Sequence, residues 1–183
     1  MTYYGGKELA EAFRTVRKNT VQIAEDIPEQ KYDFRPAPDS RTVAQTLAHI
    51  ALVPDFQNHV HANRIDDLTK INWPEVIQKH NAEEARPRTK AEIVAMLKAG
   101  GEQYASYLES LPEAFLAERV KMPPGADQPT KSRFEMLMST KEHEMHHRGQ
   151  LMTIERMIGV MPHLTRQQQE RMAQMQAAAQ QAR

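Results

Sequence analysis

Apolar residues recur at helical spacing in four separate stretches of this chain, and that repetition leaves few folds open. The first stretch carries Leu9, Phe13, Val16, Ile23 and Ile27 and is ended by Pro28. A loop with Pro36 and Pro38 follows, where Asp39 and Ser40 can cap the next segment and Thr42 with Gln45 fits a capping box. That second helix is expected over residues 41–62, with Pro54 as a kink. A third opens with the capping box Thr89-x-x-Glu92 and carries Ile93, Leu97, Tyr104, Leu108 and Leu111. Gly100 and Gly101 lie inside it, each costing roughly 1 kcal/mol against Ala, so a neighbour approaches closely there or the helix bends. The fourth spans residues 131–158 with Phe134, Leu137, Leu151, Ile154 and Ile158, and Gly159 with Pro162 forms its stop.

No stretch alternates convincingly as a strand. Four long amphipathic helices predict an all-α four-helix bundle over residues 1–162. The segment 63–88, with Trp73-Pro74 and room for one short helix, is too long for a helical hairpin and reads as a crossover between the second and third helices. Residues 163–183 are rich in Gln and poor in apolar anchors, which leaves a helical or a disordered tail. At 183 residues the chain can bury one core without staples.

Lysine plus arginine equals aspartate plus glutamate at 24 each, and no dense basic run occurs, so nucleic acid and anionic membrane are not expected partners. The N-terminal sequence has no apolar signal core, and no run of about 18 apolar residues occurs, so a cytoplasmic location is expected. Cysteine is absent, which removes thiolate ligands and a cysteine nucleophile. A metal here would depend on imidazole and carboxylate, and eight histidines are present.

The segment HEMHHRGQ, from His143, spells His-Glu-x-x-His. Histidines four apart share a helix face, about 6 Å apart at Cβ, so His143 and His147 can turn both rings toward one ion. The plain alternative is two hydrogen-bonded core histidines. A third ligand discriminates, and His49 is the candidate, because it is the single polar residue of Leu47-Ala48-His49-Ile50-Ala51-Leu52-Val53. His59, His61, His80 and His163 have polar neighbours and are expected to be solvated. The zincin reading lacks its other parts. Gln150 and Thr153 occupy the metzincin Gly and His positions, and Glu170, the one downstream carboxylate at a fair distance, lies beyond a helix stop. Glu144 and Arg148 are candidates for catalytic roles, each with an equal structural alternative: an interhelical or solvated carboxylate, and a salt bridge or dimer contact. His146 reads as a ligand's neighbour or a surface residue, and Gly149 as a site of close helix packing.

The segment IPEQKYDFRPAPDSRTVAQTLAHI together with HEMHHRGQL resembles the DinB/YfiT-like family, over residues 8–160. The resemblance implies a four-helix bundle with an unusual crossover between helices two and three. It also implies a divalent metal, commonly zinc or nickel, held by His49, His143 and His147, and homodimers in many members. Characterised members include thiol-dependent transferases and isomerases that use low-molecular-weight thiols. The expected function is therefore a metal-dependent transferase or hydrolase that activates a thiol or water for an unknown small-molecule substrate. The alternative is a metal-binding or stress-response module without catalysis, and a purely structural bundle is a third class.

Overall fold

The computed structural model describes residues 4–181. The outermost residues of the expected bundle and tail, 1–3 and 182–183, lie outside the described residues. Four long helices make the bundle: α1 (Gly6–Asp26), α2 (Val43–Ala62), α4 (Lys90–Glu109) and α6 (Arg133–Met157). Between them lie α3 (Trp73–Glu84) and the single turn α5 (Glu113–Leu116), and α7 (His163–Gln181) follows. The helices α1 and α2 each pack on both α4 and α6, so α1 lies diagonal to α2 and α4 diagonal to α6. Leu47 and Ile50 near the start of α2 share a cluster with Ile93 and Leu97 near the start of α4, so these neighbours run parallel and α3 carries the crossover between them.

Local chemistry sets the helix starts. Thr42 accepts from the Gln45 N–H while Gln45 returns a side-chain bond to the Thr42 N–H. Thr89 and Glu92 do the same for α4, and Ser132 with Glu135 for α6. Asp39 and Ser40 do not cap α2, since Ser40 instead closes a turn on Ala37. Pro54 is accommodated inside α2, and Gly159 turns the chain after α6 with φ +81°.

Among the described residues Val60, Leu68, Val120 and Met136 make a small apolar cluster, and two larger ones run along the long helices. One joins Ile23, Ile27, Leu47, Ile50, Ile93, Leu97, Leu151 and Ile154; the other joins Leu9, Phe13, Tyr104, Leu108 and Leu137. Gly101 carries no side chain where Arg17 crosses α4: a Cβ there would lie 2.7 Å from Arg17 Cγ. Gly100 and Gly149 face open space, so close packing at Gly149, expected from the sequence, is not found.

The structure departs from the sequence expectation by adding a two-stranded antiparallel hairpin, β1 (Arg119–Lys121) and β2 (Thr130–Ser132), before α6. Each strand has three residues, too few for an alternating pattern to register. The tail forms helix α7, anchored by the buried His163. Among the described residues no helix is long and apolar enough to cross a membrane.

Candidate metal centre

The three histidines singled out in the sequence meet where α2 packs on α6. His49 Nε2 lies 3.0 Å from His143 Nε2, and His147 Nε2 lies 3.1 Å from the same atom. Two nitrogens bound to one ion at 2.0–2.1 Å, with angles between 90° and 110°, would be about 2.9–3.4 Å apart. The observed separations fall in that range, so the donor set is the right size for a metal.

Outer hydrogen bonds orient two of the rings. His49 Nδ1 is 2.9 Å from Glu84 Oε2. Burial raises the Glu84 pKa, but Arg41 on its other oxygen, at 2.5 Å, and His49 outweigh it and hold the carboxyl below its ordinary value. Glu84 can therefore only accept, and the proton of this contact sits on His49 Nδ1. His147 Nδ1 likewise faces Gln150 Oε1 at 2.8 Å, while the Gln150 amide nitrogen reaches His146 Nε2 at 3.1 Å. Both arrangements leave the Nε2 lone pairs of His49 and His147 aimed at His143 Nε2. One proton on that nitrogen cannot satisfy both contacts, whereas a cation can. His143 Nδ1 is buried and has no hydrogen-bond partner among the described residues.

Burial, reinforced for His49 by Arg41 and for His143 by the neighbouring imidazoles, pushes the pKa of each down to about 4. His147 is lowered as well, chiefly by burial. Neutral rings are what metal ligation requires. The fit therefore holds for geometry, tautomer and charge.

Glu144, the residue that gives the segment its zincin appearance, points elsewhere. It is 2 % exposed and receives Arg17 Nε at 2.9 Å and Nη2 at 2.9 Å. Arg17 also donates to the Leu97 carbonyl at 3.0 Å. Both Glu144 oxygens are thus engaged by an interhelical ion pair, which excludes the solvated reading. Arg148 is half-buried, and its Nε has no partner among the described residues.

Three of the four histidines expected in solvent are not there. His61 is buried against Arg133, with Nδ1 3.1 Å from Nη1, and His163 is buried with Nε2 3.2 Å from Asn19 Oδ1. His80 is half-buried, its Nε2 3.0 Å from His49 Nδ1. Their sequence neighbours are polar, but burial depends on which helix packs above them. Glu84, His80 and Arg41 are the residues sequence reasoning missed around the site. The spacing His80-x-x-x-Glu84 is the signal that could have found two of them.

A cavity of about 860 Å³ opens beside His147. Its wall includes Arg35, Arg41, Gln45, Glu84, His147 and Ile154. The volume suits a small molecule.

The family model for the DinB superfamily matches residues 12–151. The chain belongs to the DinB superfamily. Among DinB relatives, the uncharacterized protein YjoA of Bacillus subtilis (strain 168) is 25 % identical over 155 residues, covering 83 % of this chain and 90 % of YjoA. The crystal structure of that DinB-like protein superposes with a TM-score of 0.61 at 22 % identity, covering 83 % of this chain and 92 % of that one. YfiT from Bacillus subtilis, described as a probable metal-dependent hydrolase with an unusual four-helix bundle topology, gives 0.67 at 12 % identity, covering 87 % of this chain and 91 % of YfiT. An uncharacterized protein from Clostridium difficile 630 gives 0.65 at 14 % identity, covering 85 % of this chain and 98 % of that one. These likenesses extend to the DinB fold, including the four-helix bundle.

Proposed function

We propose that this DinB protein is a metal-dependent enzyme that holds a divalent ion, zinc or nickel, on His49, His143 and His147. The observation that carries the reading is the convergence of three Nε2 atoms on one point, two of them with lone pairs directed there by Glu84 and Gln150. Three neutral histidines leave coordination open to a reactant, the pattern of a catalytic site. When bound, the ion would supply Lewis acidity, making a thiol or a water a better nucleophile near neutral pH.

The chain's own residues do the rest. Glu84 and Gln150 hold the ligand rings in one tautomer, so no ring has to reorient when a reactant arrives. Arg41 keeps Glu84 ionised and thereby keeps the proton on His49 Nδ1. The cavity beside His147 admits a small-molecule substrate, with Arg35 and Arg41 available to a polar or anionic group and Ile154 to an apolar one. The absence of cysteine means that a thiol reactant would come from outside as a low-molecular-weight cosubstrate. The description of YfiT as a probable hydrolase supports the water-activating branch. The protein is proposed to act in the cytoplasm as a homodimer, with neither nucleic acid nor membrane as partner.

The test is a turnover screen of fully metallated protein. Electrophilic substrates would be offered with low-molecular-weight thiols, and esters and amides with water alone. Turnover lost in His147→Ala supports the reading. Failure of every substrate with metal-loaded protein favours a binding or stress-response module.

A further inference from the structure

A second group of metal-type donors lies on the opposite side of the His49 ring. His49 Nδ1, His80 Nε2 and Glu84 Oε2 are separated by 3.0, 2.9 and 3.7 Å, so each pair is within coordination range of a shared ion. His80 and Glu84 are four apart on α3, the spacing that His143 and His147 use on α6. No residue of α3 is fully buried, yet its last turn brings these two polar side chains against a metal-ligand candidate. Apolar packing therefore does not explain why they gather there.

The proton inventory is also short. One hydrogen on His49 Nδ1 cannot serve both His80 Nε2 and Glu84 Oε2. His80 and Glu84, at 3.7 Å, are too far apart to satisfy one another. Arg41 occupies the other Glu84 oxygen, leaving Oε2 as a single carboxylate donor.

We propose that His49, His80 and Glu84 form a second divalent-cation site, with the His49 ring bridging it to the three-histidine site. Two imidazole nitrogens and one carboxylate oxygen are a donor set that suits zinc or copper. Occupation of both sites releases the Nδ1 proton of His49 to solvent, and the bridging ring then gives one nitrogen lone pair to each ion. The bridge rests on the three-histidine reading; the ligands on α3 do not. The second ion binds more weakly than the first, because it must displace that proton beside an existing positive charge.

The test uses metal-stripped full-length protein dialysed against Zn²⁺ and assayed by elemental analysis, with circular dichroism to confirm folding. Wild type is expected to retain two equivalents, one tight and one weaker. His80→Ala should lose the weaker one alone, and His143→Ala should keep that one while losing the tight one. His49→Ala should lose both. In protein loaded with Cu²⁺ in place of zinc, electron paramagnetic resonance should show two coupled ions, reverting to an isolated-ion signal in His80→Ala. A single equivalent in wild type that survives His80→Ala and is lost in His147→Ala would overturn the second site and leave the first standing. Two equivalents in both wild type and His80→Ala would mean an adventitious ion only and would equally overturn it. No retained zinc in wild type would overturn both sites.

Discussion

Arg17 of α1 and Glu144 of α6 form a two-pronged ion pair inside the bundle, one residue along the chain from His143. The pair fastens α6, which carries His143 and His147, to α1. Removing one partner of a buried ion pair leaves an uncompensated charge, at a cost of about 3–5 kcal/mol. Arg17→Ala is therefore expected to lower stability by that order in denaturant unfolding, with the folded fraction still binding metal. An unchanged midpoint would contradict the structural role of the pair.

Adjacent glycines should respond in opposite directions. A Cβ at Gly101 meets Arg17 Cγ at 2.7 Å, whereas one at Gly100 meets nothing within 4 Å. Gly101→Ala is expected to destabilise by about 1–3 kcal/mol through overpacking. Gly100→Ala is expected to stabilise by roughly 0.5–1 kcal/mol through helix propensity. Thermal unfolding of the two variants reads both signs at once, and equal shifts would refute the assignment of Gly101 to Arg17.

Glu155 supplies a pH dependence. It is fully buried, neither carboxyl oxygen has a partner among the described residues, and burial reinforced by Asp26 pushes its pKa up to about 7. The folded-state value exceeds the unfolded one, so the native state holds the proton more tightly. The resulting stability is fully present below about pH 4.5 and is lost as pH rises through 7. Glu155→Gln should therefore gain about 1–3 kcal/mol over wild type at pH 8 and little at pH 4. Parallel stability curves for the two proteins across that range would rule this out.

Gln150 is expected to act on the metal through His147. Its Oε1 accepts from His147 Nδ1 at 2.8 Å, and loss of such an outer partner typically costs 10–100-fold in affinity. Gln150→Leu should weaken zinc binding by about that factor in a competition titration with a chelator. Wild-type affinity in this variant would show that the orienting bond is dispensable.

The bundle was legible because its helices carry their own start signals: Thr42 with Gln45 and Thr89 with Glu92 mark boundaries that the structure reproduces. The grouping of His49 with His143 and His147 was legible too, because a lone polar residue in an apolar run has few other reasons to be there. The crossover helix left only a weak trace, since none of its residues is fully buried and no apolar period marks its register. For the same reason His80 read as solvated and Glu84 drew no reading. The role of Glu144 depended on Arg17, 127 positions earlier. The path of the Arg17 side chain depended in turn on the gap at Gly101. No local pattern carries information over such distances, and the hairpin of β1 and β2 was simply too short to show one.

Whether His49, His143 and His147 hold one ion is decided by a crystal structure of zinc-loaded protein with anomalous data at the zinc edge. The expected result is a peak bonded to Nε2 of all three rings at about 2.0–2.1 Å. A zinc peak that excludes His49, or no peak at this junction of α2 and α6, would rule out the three-histidine site.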